Sequence, residues 1–143
     1  MSVPYNIWLI FAAFLSAVAT LLHVGIVFGG GPWYRFFGAG ERMASAAEAG
    51  RAYPAVVTFG IAFVLGCWAA YALSGAGVIA ALPLLKWGLA AITVIYLVRG
   101  LALFPLLFFA REQATPFMVW SSLICIGYGV VHLVGVTQAW ERL

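Results

Sequence analysis

Three polar side chains inside the long apolar stretches of this chain are hard to explain by packing alone, namely Arg99, His23 and His132. A Lys or Arg near the centre of a bilayer costs about 2.5–3.5 kcal/mol on insertion scales, so such a residue needs a partner or marks a functional site. Arg99 is the most demanding of the three, because no Asp or Glu lies in the apolar stretches. We expect its partner to be carbonyls, hydroxyls, water, a Glu folded in from a loop, or an anionic ligand. A helix shifted along its axis would instead let the guanidinium reach the headgroups.

The residues expected near Arg99 are polar and lie toward one face of the membrane. His23 precedes the end of its apolar stretch by about six residues, which places it roughly 9 Å from that face at 1.5 Å per residue. Ser121 and Ser122 lie near the start of another apolar stretch at the same face, and the loop that carries Glu41 and Glu48 could close over the cluster. The candidate ligand-binding residues are Arg99, His23, Ser121, Tyr96, Glu41 and Glu48.

His23 and His132 are also candidates for haem ligands, since two His on different helices can bind one haem iron. Their expected depths differ by roughly 15 Å along the membrane normal, whereas the axial ligands of one iron must nearly meet. A haem b held by one His and a non-protein ligand remains an alternative. No other cofactor and no metal site is predicted, and Cys67 and Cys125 are too few for a disulfide framework.

The composition indicates that lipid, rather than water, surrounds most of this chain. Its 143 residues are 66% hydrophobic and 8% charged, whereas a soluble domain carries about 25% charged residues. The net charge of +3 comes without a cluster of Lys and Arg, so nucleic-acid binding has no support. The sequence therefore predicts a small integral membrane protein with membrane lipids as partners.

Four apolar stretches predict four transmembrane helices, since each crossing needs roughly 20 residues. We place them at about residues 5–28, 55–73, 83–109 and 116–139, with a loop at 29–53 and one membrane domain over 1–143. The Gly and Pro residues at 29–32 are expected to end the first helix, and Pro83 to lie in the first turn of the third. Pro105 is expected to kink or weaken the last turn of that third helix. The short connections favour an all-α, up-down antiparallel bundle.

The first loop begins with aromatic residues of the kind that the membrane–water interface selects. Together with a Trp near the end of the chain, they are the predicted interface anchors: Trp33, Tyr34, Phe36, Phe37 and Trp140. Residues 40–52 follow and are rich in Ala, which has high helix propensity. We therefore predict a short interfacial helix in the first loop.

Basic residues beside the predicted helices indicate how the chain is oriented. The first and third loops share one side and carry Arg35, Arg42, Arg51 and Arg111, and the other side carries Arg142 with Lys86 at its edge. Cytoplasmic loops are enriched in Lys and Arg. We expect both of these loops in the cytoplasm and both termini outside, in the inner membrane of a bacterium.

These observations favour a helix bundle that binds or translocates an amphipathic or anionic small molecule or lipid. One alternative is an accessory or assembly subunit without its own ligand, since small residues on the helices favour a homo-oligomer or docking into a larger membrane complex. A redox subunit that binds haem is a further alternative. An enzyme has the least support, because no nucleophile motif, metal-ligand spacing or paired carboxylates occur in the apolar stretches.

Overall fold

The fold is given by a computed structural model that describes residues 5–143, and every regular element in that range is helical. The elements are α1 (Ile7–Phe36), α2 (Glu41–Glu48), α3 (Tyr53–Gly75), α4 (Leu85–Leu101), α5 (Leu103–Phe109), a 3-10 turn (Arg111–Gln113), α6 (Pro116–Ala139) and a second 3-10 turn (Trp140–Arg142). Four stretches are long and apolar enough to cross a membrane: α1, α3, α4 with α5, and α6 with its terminal turn. The protein is therefore an all-α integral membrane protein with the four transmembrane helices that the sequence predicts.

Helix α1 continues beyond the end predicted for it at about residue 28. The chain leaves the helical conformation at Gly30, where φ is 65° and ψ is −154°, and then resumes a helix as far as Phe36. Pro32 lies in the first turn after this break. A backbone N–H at that position would have no carbonyl acceptor within the helix, so a proline is tolerated there. The glycine-rich run therefore kinks the helix, and the first loop is shorter than the predicted 29–53.

The third apolar stretch is interrupted at Ala102, between α4 and α5. Pro105 lies in α5 and cannot donate to the carbonyl of Leu101, and its ring crowds that carbonyl. The interruption one turn before Pro105 agrees with the kink expected from this proline. At the other end, α4 begins at Leu85 after a left-handed Leu84 with φ 52°, so Pro83 precedes the helix rather than lying in its first turn.

Helix α6 begins at Pro116 and ends at Ala139, the two residues at which the sequence places its ends. The hydroxyl of Thr115 caps its start by accepting a hydrogen bond from the backbone N–H of Met118 at 3.2 Å. Proline is tolerated at the first helical position, because a backbone N–H there would have no partner within the helix. The cap and the proline together fix this boundary locally.

The helices pack as two compact units, which we name by their contents. The α4/α6 unit comprises the chain up to Ser16 and Trp68–Leu143, and the loop-one unit comprises Ala17–Cys67. In the α4/α6 unit, Lys86 near the start of α4 donates to the carbonyl of Trp140 after α6 at 2.8 Å. Arg99 near the end of α4 donates to Ser122 near the start of α6. These two contacts pair opposite ends of the two helices and so show that α4 and α6 are antiparallel.

The first part of α1 completes the α4/α6 unit in the same alternating sense. The backbone N–H of Asn6 donates to the carbonyl of Ala76 after α3, and its side-chain amide donates to the carbonyl of Gly135 near the end of α6, both at 3.1 Å. Ten residues later, the hydroxyl of Ser16 lies 3.1 Å from that of Tyr96 in the middle of α4. Helix α1 is thus antiparallel to α3 and α6 and parallel to α4 in this unit, as an up-down bundle requires.

Close contact between α4 and α6 depends on two glycines. A Cβ on Gly100 would lie 2.5 Å from Cγ1 of Ile126 and 2.8 Å from the carbonyl oxygen of Ser122, and one on Gly129 would lie 2.7 Å from Cγ of Leu97. Small residues let membrane helices approach until their backbones pack, which is the main attraction between helices in lipid. This approach brings Arg99 next to the serines of α6.

The loop-one unit has its own small core, formed by Ile26, Tyr34 and Ala44. Helix α2 is confirmed in the first loop, although it spans Glu41–Glu48 rather than the predicted 40–52. The ring of Tyr34 is 2% exposed, and its hydroxyl lies 3.0 Å from that of Thr58 in α3. Tyr34 therefore holds the loop against α3, and its role as an interface anchor stays a prediction.

The substitution Gly30→Ala should destabilise the loop-one unit. The φ and ψ of Gly30 belong to a region that essentially only Gly adopts, and a side chain there costs about 1–3 kcal/mol. Thermal unfolding in detergent would show a lower midpoint for Gly30→Ala. The control is Gly60→Ala in α3, where a Cβ meets nothing within 4 Å and the midpoint should stay level or rise slightly. Equal midpoints for both variants would mean that Gly30 bears no strain.

Candidate functional site

Arg99 forms the centre of a small polar cluster between α4 and α6. Its Nη1 donates to Oγ of Ser122 at 3.0 Å and its Nη2 donates to Oγ of Ser121 at 3.3 Å. The Ser121 hydroxyl in turn donates to the carbonyl of Met118 at 3.2 Å. The structure therefore brings Arg99 together with Ser121 and Ser122, the two serines that the sequence places at the same face.

The Arg99 cluster is open on one side and borders apolar surface. Arg99 itself is exposed, whereas Ser122 is buried. One turn before Arg99 on α4, Ile95 is 49% exposed, and one turn after Ser121 on α6, Ile124 is 53% exposed. Because the two helices are antiparallel, both isoleucines lie on the same side of the cluster, toward the middle of the helices. A charged group is thus flanked by an apolar strip.

Tyr96 lies one turn before Arg99 but does not share its partners. Its side chain is 5% exposed, and its hydroxyl pairs with Ser16 of α1 rather than facing the guanidinium. Its ring contacts those of Trp68, Tyr128 and His132, with centroid distances of 4.9, 5.4 and 5.1 Å. Tyr96 is therefore a core residue of the α4/α6 unit, and its predicted role in ligand binding stays a prediction.

His132 is fully buried beside Tyr96 and has one nitrogen without a partner. Its Nδ1 lies 2.9 Å from the carbonyl oxygen of Tyr128, one turn back in α6. A carbonyl oxygen only accepts, so Nδ1 carries the proton and Nε2 presents its lone pair. Among the described residues no group donates to this Nε2, although it is shielded from solvent. A haem iron at Nε2 would require the packing around the ring to open.

His23 lies in the loop-one unit and is half-buried. Its Nδ1 pairs with the carbonyl oxygen of Ala19, one turn back in α1, at 2.7 Å. This is the same arrangement as in His132, since each imidazole donates within its own helix and leaves Nε2 for another partner. His23 therefore stays a candidate ligand-binding residue, and within residues 5–143 its one side-chain hydrogen bond is this contact with Ala19.

Glu41 and Glu48, the two loop-one carboxylates predicted to reach the site, both bind Arg35. The guanidinium of Arg35 donates to the two oxygens of Glu41 at 2.9 and 2.7 Å, and its Nη2 also donates to Glu48 at 2.9 Å. Ser45 adds a hydrogen bond to Glu41 at 2.7 Å. We call this group the Arg35 clamp, and it joins the end of α1 to both ends of α2.

The clamp perturbs both carboxyl groups. Hydrogen bonds from Arg35, and then from Ser45, lower the pKa of Glu41 from 4.5 to about 2. The hydrogen bond from Arg35 likewise lowers the pKa of Glu48. Both side chains are exposed, so solvent screens these interactions and the clamp orders the loop more than it stabilises the fold.

The remaining predicted interface anchors differ in exposure. Trp33 and Phe36 are 44% and 79% exposed, whereas Phe37 is half-buried against both of them. Trp140 lies at the end of α6, where its ring is contacted by Lys86, with Nζ 4.2 Å from the ring centroid. Aromatic side chains with this mixture of exposure suit the boundary of a bilayer, and their placement there stays a prediction.

The sequence did not identify Arg35 as the partner of the two loop-one carboxylates. Glu41 and Glu48 are seven residues apart, which puts both on one face of a short helix, and Arg35 is the nearest cation that precedes it. That spacing was the available signal. The kink at Gly30, which turns the end of α1 and so decides where Arg35 lies, could not be read from it.

No protein-family profile, curated protein or solved structure matches this chain. Within residues 5–143, no group of three or more His, Cys, Asp or Glu side chains converges as metal ligands would. The chemistry available on the described residues is therefore that of the Arg99 cluster, the buried His132 and the Arg35 clamp.

The Arg35 clamp should loosen in acid. Both carboxyl pKa values are lower in the folded protein, so the contribution to stability is present above pH 4.5 and is lost as the pH falls through the folded values, about 2 for Glu41. Hydrogen-exchange protection of residues 43–47, corrected for intrinsic rates, should fall from pH 5 to pH 2. Arg35→Gln should lower it at pH 5 and remove its pH dependence, while the control Arg42→Gln should not. Protection that stays constant with pH in the wild type would contradict the clamp.

Replacing His132 by Leu should not destabilise the protein. A buried acceptor without a donor costs about 1–3 kcal/mol, and an apolar side chain of similar volume removes that cost. The thermal midpoint of His132→Leu in detergent should therefore equal or exceed that of the wild type. His132→Gln, which keeps buried polar atoms, should be less stable than His132→Leu. A large drop for the Leu variant would show that Nε2 has a donor, such as an internal water.

Proposed function

We propose that this membrane protein binds an amphipathic anion on the α4/α6 unit, with the guanidinium of Arg99 holding the charged group. The observation that carries the proposal is the neutrality of the partners of Arg99, which are the hydroxyls of Ser121 and Ser122. A guanidinium has five N–H donors and binds carboxylate or phosphate oxygens in pairs. An anion would therefore supply both the missing charge and further acceptors.

The carboxylates of the first loop are engaged elsewhere. Glu41 and Glu48 both bind Arg35 inside the loop-one unit. An account in which one of them folds inward to neutralise Arg99 would have to break that clamp. A charge in hydrocarbon without a counter-charge is costly, so a bound anion is the favoured way to offset it.

The surroundings of Arg99 favour an anion with an apolar tail. Ile95 and Ile124 expose apolar surface on the same side of the cluster. A ligand whose headgroup binds Arg99 and whose chain follows these two side chains keeps its charge with the protein and its tail in hydrocarbon. A fatty-acid carboxylate and an anionic phospholipid headgroup share this chemistry.

The test compares wild-type protein with Arg99→Gln in detergent. Oleate and dioleoylphosphatidylglycerol should each raise the thermal midpoint of the wild type, and inorganic phosphate should raise it less because it has no tail. Arg99→Gln should weaken the binding of oleate roughly ten- to a hundredfold, the effect of losing hydrogen bonds to a charged group worth about 1.5–3 kcal/mol. A response to oleate alone would identify a free carboxylate as the ligand, and a response to the phospholipid alone would identify a headgroup.

Arg111→Gln is the matched control, since Arg111 carries the same charge in the 3-10 turn that follows α5. Its midpoint shifts should equal those of the wild type. If Arg99→Gln keeps the full response to oleate and phosphatidylglycerol, or if the wild type responds to neither, the proposal is wrong. If the variant loses stability without any ligand in the wild type, Arg99 has a structural role only.

A further inference from the structure

A second feature of the α4/α6 unit is an open groove at the end opposite Arg99. The groove has a volume of about 510 Å³, within the size range of small-molecule sites. Its walls include Thr93 and Val94 of α4 and Leu133 and Thr137 of α6, and it ends at Trp140 and Glu141. Lys86, at this end of α4, is 13 residues from Arg99, which at 1.5 Å per residue separates the two by about 20 Å along the helix.

The walls of the groove present apolar surface despite their two threonines. The hydroxyl of Thr93 donates to the carbonyl of Leu89 at 2.8 Å, and that of Thr137 donates to the carbonyl of Val134 at 3.0 Å. Each hydroxyl is thus satisfied within its own helix and leaves its methyl group for the groove. Between Leu133 and Glu141 the groove follows α6 for roughly 12 Å, so its shape suits a hydrocarbon chain that runs along the helices.

At the mouth of the groove, Glu141 lines the wall, and Lys86, which is not part of the lining, contacts the neighbouring Trp140. Lys86 donates from Nζ to the carbonyl oxygen of Trp140 at 2.8 Å, and Glu141 follows Trp140 directly. The structure shows no ion pair between Glu141 and any other residue from 5 to 143. The ring of Trp87 meets that of Trp140 edge-on at 6.4 Å, and Trp and Lys together are typical of the membrane–water boundary. The charged mouth is therefore expected at the level of lipid headgroups.

From this arrangement we infer that the α4/α6 groove binds an aminophospholipid, with a primary ammonium at Glu141, a phosphodiester near Lys86 and an acyl chain between α4 and α6. Charge complementarity selects this headgroup. Phosphatidylglycerol would place the same phosphodiester near Lys86, but its neutral glycerol group brings no cation to match the carboxylate of Glu141. Phosphatidylcholine has a cation but no N–H to donate, so its hydrogen bond to the carboxylate is lost.

The test measures lipid retention by native mass spectrometry of the full chain in detergent. Dioleoyl phosphatidylethanolamine, its N,N-dimethyl derivative, phosphatidylcholine and phosphatidylglycerol share the same chains and differ only at the headgroup. We expect phosphatidylethanolamine to bind about fivefold more tightly than phosphatidylcholine, which is the size of one net hydrogen bond. Binding should weaken along the methylation series in the wild type, which requires no variant.

Two variants separate the headgroup contact from the groove. Glu141→Gln should reduce phosphatidylethanolamine binding to the level of phosphatidylcholine, whereas Glu112→Gln, in the turn that precedes α6, should leave the preference unchanged. Ala90→Leu, in the wall of the groove, should weaken all four lipids together. Arg99→Gln should leave the preference for phosphatidylethanolamine intact. The lipid site in the groove and the anion site at Arg99 are therefore tested independently. Equal binding of phosphatidylethanolamine and phosphatidylcholine by the wild type, or an undiminished preference in Glu141→Gln, would overturn the inference.

Discussion

Hydrocarbon offers no hydrogen-bond partner, and this constraint governs how the polar side chains of the protein are placed. Some hydroxyl groups on the long helices donate to a carbonyl of their own helix, as Thr93 does, and others meet a second hydroxyl, as Ser16 meets Tyr96. Buried aromatic rings then fill the space around these contacts. Close packing at Gly100 and Gly129 lets α4 and α6 supply partners to one another. The polar contacts therefore follow from where the helices can approach.

The same constraint applies to charged side chains, and the two units differ in how their charges are matched. In the loop-one unit the charge of Arg35 is matched by two carboxylates, Glu41 and Glu48. In the α4/α6 unit the guanidinium of Arg99 meets neutral hydroxyls, and Nε2 of the buried His132 has no donor among the described residues. Incomplete polar groups in an apolar setting are where a membrane protein is most expected to bind something.

The parts of the fold that short-range chemistry decides could be predicted from the sequence. Four crossings follow from the length of the apolar stretches, and the start of α6 follows from Thr115 and Pro116. Tertiary packing decided the rest. A run of glycines can end a helix or kink it, and in α1 the backbone at Gly30 kinks the helix. The buried position of Tyr34 depends on a hydroxyl of α3, Thr58, that no local pattern connects to it. For the site, adjacency of Arg99 and Ser121 followed from depth alone, whereas the engagement of Glu41 and Glu48 by Arg35 did not.

We propose that Arg99 takes its counter-charge from a bound anion. Magic-angle-spinning NMR can test it by measuring the dipolar coupling between ¹⁵N-labelled arginine side chains and the ¹³C-labelled carboxylate of oleate in a bilayer. Comparison with Arg99→Gln assigns the signal to one guanidinium among the six in the chain. We predict a coupling of hydrogen-bond range that disappears in the variant. A wild-type spectrum without that coupling, or one that the variant leaves unchanged, would contradict the claim.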